Sequence, residues 1–426
     1  MLEKQKFIDL FSGCGGLSLG LLRSGLQGVL GIEKCSGAFS TFSENLIVKN
    51  KFADVDPFLW PNSIQKTAMT VRDLIENYPD WIEENKGEIT YVVGGPPCQG
   101  FSMAGKRVHD DPRNELYLDQ LELAQKLDVD MVLVENVPGM GIPFFKSIDD
   151  VGQRKDSYLS QLKERMAEFG FKEVEQSLLY AADFGVPQLR TRYITLGISD
   201  RLLNDSGIGF FDHVKKLREG FLTNKSLPLS EPVSTSEAIS DLEIRNDSLT
   251  ICEDPFSQSR YLELSKLGQQ VSSYQKLMHG NLNGQVPNST RFTKHRPDTI
   301  KNFKLIQKTC TPGKHLSLAD KRRIGTKKMM RTVLHPDQPS ATLTTMPDDI
   351  LHYSDPRILT VREYARIQSF PDWFNFLGNF TTGGLRRKSD CPRYTQIGNA
   401  VPPLLAEIIG LAMQTHHYML KTAKQV

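Results

Sequence analysis

The chain has 426 residues, of which 39% are hydrophobic and 24% charged, with a formal net charge of +2. This length suffices for two domains with separate cores, and the composition is that of a globular protein. Because no apolar run approaches the roughly 18–20 residues that span a bilayer, and because the first segment MLEKQKF is charged, we expect neither membrane insertion nor export.

The part of the chain before residue 200 alternates between short apolar runs and helical patterns. The predicted strands are 6–11, 27–33, 89–95, 130–136 and 192–198, and the predicted helices are 15–24, 36–45 (capped by Ser36), 115–127 and 157–169. Such alternation predicts an α/β fold with a mainly parallel sheet covered by helices on both faces.

The pattern changes after about residue 200. Residues 201–350 are richer in Ser, Thr, Asn and Lys, but apolar and aromatic residues continue through them, which predicts a second, smaller domain of irregular structure. The C-terminal segment GNAVPPLLAEIIGLAMQTHHYML reads as a turn and a strongly apolar helix, which we expect to pack on the first domain. The predicted domains are 1–200 plus 395–426, and 201–394.

One part of the second region is strongly basic. Between Arg291 and Arg331, here called the basic segment, there are thirteen Lys or Arg residues and two acids, so that it carries +11 and the rest of the chain about −9. It includes the run Lys321-Arg322-Arg323 and, soon after, Lys327 and Lys328. With so few acids to pair these cations, a polyanion-binding surface is favoured over an ordinary solvated one.

The cysteines indicate neither a metal site nor a set of disulfide bonds. Six of them are scattered along the chain, at Cys14, Cys35, Cys98, Cys252, Cys310 and Cys391. None forms a C-x-x-C pair, so we expect no metal site and a reducing, cytoplasmic location.

The turn after the first strand has the features of a nucleoside site. In DLFSGCGG (9–16), glycines lie where a strand turns into a helix, so the backbone can approach a ligand and helical N–H groups are free. Glu33 lies at the end of the next predicted strand, where a carboxylate can accept hydrogen bonds from ribose hydroxyls. The spacing of the glycines differs from G-x-G-x-x-G, and the turn alone does not distinguish a dinucleotide from S-adenosylmethionine.

Chemically reactive residues follow the other predicted strands. Cys98 comes after two prolines, which hold it in a stiff loop beyond strand 89–95. Most cysteines are packing residues, but ligands bind at this edge of parallel sheets. Glu135 ends the next strand. Because it is costly to bury an acid after apolar residues, we expect this one to have a charged partner or a role in function. Arg190 and Arg192 begin the last strand and supply positive charge nearby.

A thiol, an acid and an arginine beside a nucleoside cofactor suit methylation of cytosine at C5. Thiolate addition at C6 turns the ring into an enamine, which makes C5 nucleophilic, and an acid at N3 absorbs the charge that addition creates. After methyl transfer, loss of the C5 proton and elimination of the thiol restore the aromatic ring.

Eight sequence blocks occur in order between residues 7 and 403. They are FIDLFSGCGGLSLG, GIEK, GGPPCQGFS, DPRNEL, VENVPG, DFGVPQLRTRYITLGI, RILTVREYARIQSFPDWF and YTQIGNAVPP. With these blocks the chain resembles the DNA cytosine-5 methyltransferase family, of the bacterial restriction-modification type. The resemblance implies a Rossmann-like, S-adenosylmethionine-dependent methyltransferase sheet and, within the unmatched residues 200–340, a target-recognition domain.

The resemblance also implies roles for residues at the reacting base. Cys98 is expected to be the nucleophile and Glu135 the acid at cytosine N3. Arg190 and Arg192 are expected to contact the target cytosine and to orient the cysteine or its base. Because a stacked ring cannot receive a thiolate at C6, we expect the cytosine to flip out into a pocket lined by Pro96, Cys98, Glu135 and Arg192.

Further residues match the cofactor side of the family. The expected S-adenosylmethionine contacts are Asp9, Phe11, Gly13 and Gly15 in the pocket, Glu33 on the ribose, Asp73 and Leu74 at the adenine, and Pro97, Leu116, Asn399 and Val401 nearby. Lys34 departs from the pattern, since some members have an aromatic residue there that stacks on the adenine.

The partner that the resemblance implies is duplex DNA. Gln99 and Ser102 are expected to anchor the catalytic loop against the DNA backbone, and the loop 100–111 to close over it. In the basic segment, phosphate contacts would position the DNA while base contacts choose the site. A compact chain of this type is typical of a bacterial enzyme that acts as a monomer, with a possible cognate restriction endonuclease in the same system.

Three other functions remain open from the sequence. An RNA methyltransferase of the same fold would modify transfer RNA, although the broad region 200–340 favours a DNA target. A flavin or nicotinamide oxidoreductase would share the sheet but is disfavoured without G-x-G-x-x-G. A DNA-binding protein without activity is disfavoured because Cys98, Glu135 and Arg192 are all present.

Overall fold

The structure is a computed structural model that describes residues 4–97, 115–141, 158–202, 207–245, 247–257, 261–326, 331–381 and 390–423. The predictions for Cys98, Gln99, Ser102 and the loop 100–111 lie outside the described residues. Those for Lys327 and Lys328 lie outside them as well.

Most of the strands that precede residue 200 form one central sheet. The strands are β1 (Lys6–Leu10), β2 (Gln27–Ile32), β3 (Tyr91–Gly94), β4 (Met131–Asn136), β5 (Glu173–Tyr180), β6 (Gln188–Leu189) and β7 (Thr191–Ile198). The sheet order is β2-β1-β3-β4-β7-β5, in which β1 to β4 are parallel and β7 runs antiparallel to both of its neighbours. The predicted strands are therefore confirmed, with small shifts at their ends.

Strand β5 was not predicted because it lies at the edge of the sheet. Most of its side chains are partly or fully exposed, and Glu173, Glu175 and Gln176 give it the composition of a solvated segment. An edge strand needs only one face and one hydrogen-bonding side covered, so its sequence carries a weak hydrophobic pattern.

The helices of the same region flank this sheet. They are α1 (Gly16–Arg23), α2 (Ser36–Phe42), α3 (Val71–Asn77), α4 (Pro79–Glu84), α5 (Leu116–Lys126) and α6 (Tyr158–Glu168). Helix α2 begins at Ser36, so its N-cap is Cys35 and the predicted cap at Ser36 is wrong by one residue. Directly after Phe42, the helix continues as one π-helical turn, Ser43–Ile47.

Residues 201–394 combine short strands with helices of very different length. The helices are α7 (Phe210–Asn224), α8 (Thr235–Ile239), α9 (Ser273–His279), α10 (Pro297–Thr309), α11 (Leu318–Ile324), α12 (Val361–Ile367) and α13 (Arg393–Asn399), which runs past 394. The strands are β8 (Leu249–Ile251), β9 (Leu262–Leu264), β10 (Thr332–Val333), β11 (Ser340–Ala341) and β12 (Ile350–Leu351). Such short strands agree with the irregular structure expected here, whereas α7 and α10 are regular helices.

The last helix, α14 (Pro403–Ala423), completes the first domain. It packs against α1 and α7. Gly20 permits the α1 contact, since a side-chain carbon there would lie 2.4 Å from both the Ala406 methyl carbon and the Pro403 carbonyl oxygen. The stretch Arg393–Ala423 is long and apolar enough to cross a membrane, but 83% of its most apolar window is buried inside the protein. It therefore has the character of a core helix.

Two apolar cores are distinguishable among the described residues. The larger one surrounds the sheet and extends into residues 201–394 through α7, α8, α9 and α12. The smaller one lies between α10 and the strands β10 and β12, and it consists of Phe303, Ile306, Cys310, Leu316, Val333, Leu351 and Ile358. The boundary drawn at residue 200 stays a prediction, and the packing of α7 on α14 and β5 places that helix with the sheet.

Candidate active site

The turn between β1 and α1 adopts the conformation that its glycines permit. Phe11, Gly13 and Gly15 have φ angles of 57°, 57° and 97°, in the left-handed region. A side-chain carbon on Gly15 would lie 2.6 Å from Leu46 Cδ1, whereas one on Gly13 would meet no described atom within 4 Å. Gly15 is thus required for packing, and Gly13 leaves its backbone open to a ligand.

Glu33 joins this turn to the start of α2. Its Oε2 accepts a hydrogen bond from the Gly13 N–H at 3.0 Å, and its Oε1 accepts one from the Cys35 N–H at 2.7 Å. Burial raises the pKa of the carboxyl group, and these two hydrogen bonds oppose the rise. Because each carboxylate oxygen retains a free lone pair, Glu33 can also accept hydrogen bonds from two ribose hydroxyls.

Asp9 is a buried acid behind the same turn. Its Oδ2 accepts a hydrogen bond of 2.5 Å from Ser18 Oγ, and burial raises its pKa to about 7. Neither its Oδ1 nor Ser12 Oγ has a hydrogen-bond partner within the described ranges. Buried polar atoms without partners beside an open glycine turn fit a polar, nucleoside-type ligand such as S-adenosylmethionine.

The residues expected at the adenine lie in the first turn of α3. The Met69 N–H donates to the Glu33 carbonyl oxygen at 2.9 Å, which brings the segment before α3 to the end of β2. Asp73 is exposed and accepts hydrogen bonds from Thr70 in a capping box, while the Leu74 side chain is fully buried. The Asp73 carboxylate therefore holds the start of α3.

The remaining cofactor candidates line the approach to the turn to different extents. Val401 is buried, and its carbonyl oxygen would lie 2.3 Å from a side-chain carbon on Gly16, so the C-terminal segment packs directly on the glycine turn. Pro97 and Leu116 are partly exposed at the ends of β3 and α5, and Asn399 is exposed at the end of α13.

Glu135 and Arg192 form an ion pair at the neighbouring edge of the sheet. Glu135 lies opposite Ile194 in the β4–β7 register, which places Arg192, two residues along β7, on the same face. The distance between Arg192 Nε and Glu135 Oε1 is 2.5 Å, and the side chains are 9% and 12% exposed. Such a pair is largely withdrawn from solvent, and its geometry is fixed by two strands.

The two glycines at the end of β3, Gly94 within the strand and Gly95 just after it, allow the next loop to approach this pair. A side-chain carbon on Gly94 would lie 2.7 Å from the Leu10 carbonyl oxygen, and one on Gly95 would lie 2.9 Å from Glu135 Oε2. The backbone contact restricts position 94 to glycine, and a side chain at position 95 would have to displace the Glu135 carboxylate. The backbone that leads to Cys98 therefore leaves the sheet directly beside the Glu135 carboxylate.

These features match a known family. Residues 5–415 match the sequence profile of the family described as C-5 cytosine-specific DNA methylase. The chain belongs to this family. It is accordingly a DNA cytosine-5 methyltransferase with the α/β fold of that group.

Several relatives of this methyltransferase are type II methyltransferases of bacteria. M.DdeI of Desulfomicrobium norvegicum is 30% identical over 95% of this chain and 87% of its own length. M1.HphI of Haemophilus parahaemolyticus is 28% identical over 96% of this chain and 86% of its own, and M.BsuRI of Bacillus subtilis is 28% identical over 96% and 79%.

Solved structures share the fold of this methyltransferase. A prophage-encoded protein of E. coli, described as a DNA modification methyltransferase, superposes with a TM-score of 0.63 at 24% identity, covering 97% of this chain and 99% of the other. The Dnmt2 methyltransferase of S. pombe superposes with a TM-score of 0.52 at 15% identity, covering 97% and 99%. At these identities the likeness concerns the fold alone.

Arg190 of the methyltransferase does not join the ion pair that Arg192 makes. Its side chain is fully buried, and its guanidinium donates to the carbonyl oxygens of Leu343 at 3.3 Å, Gly398 at 2.9 Å and Ala400 at 3.0 Å. These contacts tie the start of β7 to the turn that precedes α14. Arg190 is thus held by protein backbone through its terminal nitrogens, and its expected contact with the target base stays a prediction.

The sequence reasoning missed polar residues that the structure places behind the site. Ser18 holds Asp9, Gln120 donates to the Leu133 carbonyl oxygen at 2.9 Å, and the Asn136 amide is buried without a hydrogen-bond partner among the described residues. A usable signal existed for Ser18, since it is a polar residue on the apolar face of α1. For Gln120, helical periodicity indicated only an amphipathic face.

The basic segment contributes exposed and structural cations. In α11, whose seven residues are all described, no residue is buried, and Lys321 and Arg322 lie in its last turn. Arg323 instead donates to the Thr309 carbonyl oxygen at 2.6 Å and pairs with Asp320. The two ends of the basic segment also contact the protein: Arg291 lies between the rings of Tyr261 and Phe380, and Arg331 donates to the Asp348 carbonyl oxygen.

Within the described ranges, no group of three or more His, Cys, Asp or Glu residues is placed to hold a metal ion.

Proposed function

We propose that this enzyme methylates C5 of a cytosine within a specific duplex DNA sequence, with S-adenosylmethionine as the methyl donor and Cys98 as a covalent nucleophile on a flipped-out base. The observation that carries the proposal is the ion pair of Glu135 and Arg192 beside Gly95, from which the backbone continues to Cys98. It supplies an acid of fixed position where the thiol-bearing loop begins.

The ion pair suits an acid that must change its charge during the reaction. As the Cys98 thiolate forms a bond with C6, electron density moves through the ring, and N3 takes a proton that Glu135 has first accepted from solvent. The carboxylate that remains is stabilised by the adjacent guanidinium of Arg192, and the low exposure of both side chains strengthens that interaction. The cost of charge separation during addition is thereby reduced.

The later steps return the enzyme to its starting state. When bound, S-adenosylmethionine supplies an electrophilic methyl group, to which C5 becomes bonded. Removal of the C5 proton then returns the bonding electrons to the ring and expels the Cys98 thiolate, while N3 gives its proton back to Glu135. Flipping of the cytosine is necessary because C6 is inaccessible to a thiolate within the base stack.

The cofactor side of the proposal depends on Glu33, Gly13 and Asp9. The Glu33 carboxylate would accept hydrogen bonds from the ribose, and the open backbone at Gly13 would admit the amino-acid portion of the cofactor. Asp9 lies deeper and holds the turn through Ser18. We propose the other cofactor contacts, Phe11, Gly15, Asp73, Leu74, Pro97, Leu116, Asn399 and Val401, on the family resemblance.

The basic segment is the proposed DNA-binding surface of residues 201–394. Lys321 and Arg322 project from a helix that buries none of its seven residues, which suits contacts with phosphates. The type II methyltransferases among the relatives favour a protective role beside a restriction endonuclease. Action as a monomer in the cytoplasm stays a prediction from the sequence.

The covalent step is tested with DNA that contains 5-fluorocytosine at the target position. Fluorine at C5 blocks elimination, so the native enzyme should form an adduct that survives denaturation, whereas Cys98→Ser should bind the DNA but form none. Cys310→Ser, which changes a thiol in the smaller core, is the matched control and should keep the adduct. An adduct in Cys98→Ser would overturn the proposal. An adduct with transfer RNA instead of duplex DNA would show that RNA is the substrate.

A further inference from the structure

A cavity of about 430 Å³ opens at the start of α10, away from the residues that we place in the active site. Its lining includes Asp298, Asn302 and Phe303 from the first two turns of that helix, together with Arg331 and Asp348. Pockets that bind small molecules have volumes of roughly 300–1,000 Å³. The cavity is therefore large enough to receive one nucleobase.

Arg331 is a buried cation in the wall of this cavity. Its side chain is 8% exposed, and its Nε donates to the Asp348 carbonyl oxygen at 3.1 Å. Its Nη2 lies 4.0 Å from Asp348 Oδ2, which is too far for a hydrogen bond. Within the described ranges, neither terminal nitrogen of Arg331 has a hydrogen-bond acceptor. A buried guanidinium in this state favours an acceptor that enters the cavity from outside.

The surrounding structure fixes the position of the Arg331 guanidinium. Its central carbon lies 5.5 Å from the centre of the Phe303 ring, which belongs to the smaller apolar core. The main-chain carbonyl oxygen of Arg331 accepts a hydrogen bond from the Leu316 N–H at 3.0 Å. With Nε also engaged, the two terminal nitrogens form a fork of fixed direction, as recognition of a planar ligand requires.

The charges around the cavity favour a base of DNA as its ligand. Lys301, Lys304 and Lys308 are exposed and follow one face of α10, where they can contact phosphates. Asn302 is the next residue after Lys301, about 100° further around the helix, so the cavity lies beside this face. Asp298 and Asp348 line the cavity itself, and their charges oppose the entry of a phosphate but not of a neutral ring.

The fork of Arg331 distinguishes among the bases. In the major groove, guanine presents two adjacent acceptors, O6 and N7, whereas adenine presents one acceptor beside a donor. Cytosine presents an amino donor, and thymine presents one acceptor beside a methyl group. Two parallel N–H donors therefore match guanine alone. The paired cytosine would direct its amino group to a carboxylate, and Asp298 is an exposed carboxylate at the same cavity.

We propose that this cavity binds the edge of one guanine in the DNA sequence that the enzyme recognises, with the two terminal nitrogens of Arg331 donating to guanine O6 and N7. Arg331 is thereby a residue that determines sequence specificity. The inference depends on the proposed function, because it assumes that duplex DNA is the substrate.

The experiment first maps the methylated positions in DNA treated with the full chain, which identifies the recognised sequence. Each guanine of that sequence is then replaced singly by 7-deazaguanine, which keeps O6 and Watson–Crick pairing but lacks the N7 acceptor. At the guanine that Arg331 contacts, kcat/KM of the native enzyme should fall on the order of fivefold to tenfold, the loss of about one hydrogen bond. An A·T pair at that position should cost about 10- to 100-fold.

The variant Arg331→Lys assigns the effect to this side chain. Lysine keeps the charge but not the fork, so the variant should be about 10- to 100-fold slower on the unmodified sequence. At one guanine, 7-deazaguanine should then cost the variant nothing further, while its effects elsewhere stay as in the native enzyme. Arg218→Lys is the matched control, because Arg218 on α7 also donates to backbone carbonyl oxygens, and it should keep the native pattern.

A second variant keeps the test decisive if circular dichroism shows that Arg331→Lys does not fold. Asp298→Asn changes an exposed side chain and should weaken discrimination at the same base pair. The inference is overturned if no 7-deazaguanine slows the native enzyme, or if folded Arg331→Lys keeps the native pattern and is slower on every duplex by one factor. The latter result would indicate a phosphate contact or a purely structural role. If the native enzyme methylates no duplex DNA, it is the proposed function that fails.

Discussion

The edge of the sheet and helix α11 use charge in opposite ways. At the sheet edge, Glu135 and Arg192 are about nine-tenths buried and are held by paired strands, and Asp9 lies behind them with a raised pKa. In α11, whose residues are all described, none is buried; Arg322 is exposed and Lys321 is partly exposed. The difference corresponds to the two tasks that we propose for these regions.

Burying a charged group costs free energy of desolvation, so a buried charge is kept only where it has a defined partner and a fixed position. At the sheet edge, a carboxylate acts on one atom of one base, which requires a fixed position and a low local dielectric. At α11, cations neutralise a phosphate backbone, which requires access and reach but little precision. Four predictions test this contrast, from the largest expected effect to the smallest.

Glu135→Gln should reduce the single-turnover rate of methyl transfer by a factor on the order of 10²–10⁴. An amide cannot give N3 a proton and become a carboxylate, and the change also leaves Arg192 without its ion-pair partner. DNA affinity should stay near the native value. Glu122→Gln, which removes a partly exposed ion pair with Arg72, is the control and should react at the native rate. A rate for Glu135→Gln within tenfold of native would contradict the assignment.

Asp9→Asn should change the dependence of stability on pH. The pKa of Asp9 is about 7 when folded and near 3.8 when unfolded, so between these values the folded state binds more protons. The free energy of unfolding should therefore fall as the pH rises from about 4 to about 7, by up to about 4 kcal/mol. In Asp9→Asn this decline should be absent.

The test for Asp9 is urea denaturation at several pH values. The variant should be more stable than the native protein above pH 7, and the two should be similar near pH 4. Equal slopes in both proteins would show that the Asp9 carboxyl is already ionised throughout this range.

The double variant Lys321→Glu/Arg322→Glu should weaken binding to duplex DNA by about 10- to 100-fold at physiological salt. Each lost phosphate contact should reduce the slope of log affinity against log salt by about 0.9. Arg323 is left unchanged because it holds α11 to the end of α10. Lys215→Glu/Lys216→Glu, which reverses two exposed cations on α7, is the matched control. Equal losses in both double variants would mean that binding depends on net charge and not on this helix.

Ser317→Ala should have the smallest effect and should act locally. Ser317 caps α11 through a capping box with Asp320, and removing such a cap costs about 1 kcal/mol of helix stability. Because α11 buries none of its residues, we expect a few-fold loss of DNA affinity and an unchanged melting temperature. Thr360→Ala removes the same motif from α12, where every residue is buried, and should lower the melting temperature instead. If both variants lower it equally, α11 is part of the cooperative fold.

Local pattern predicted the parts of the fold that are regular and well buried. The strands β1, β3 and β4 are short, mostly apolar runs whose residues are almost all buried, and a run of this kind can be recognised without knowing its neighbours. Helices α3 and α4 have seven and six residues, and no helix was predicted there. The Thr70–Asp73 capping box was nevertheless a readable signal for the first of them.

The site was predictable where residues end strands of the sheet. Glu33 follows β2 and Glu135 lies near the end of β4, and parallel strands bring such positions to one edge. The sequence could not distinguish Arg190 from Arg192, which are two residues apart and identical in chemistry. Packing decides between them, since one guanidinium meets backbone carbonyls and the other meets a carboxylate.

The sequence by itself determined the apolar strands of the sheet, its glycine turn and the acids at the strand ends, because these depend on local periodicity and composition. Only the tertiary structure decided which cations bind protein groups and how closely Gly95 approaches the Glu135 carboxylate. Such contacts join residues that are far apart in the chain, and no local preference encodes them. They arise because burial of the apolar core brings distant segments together and each polar group must then find a partner.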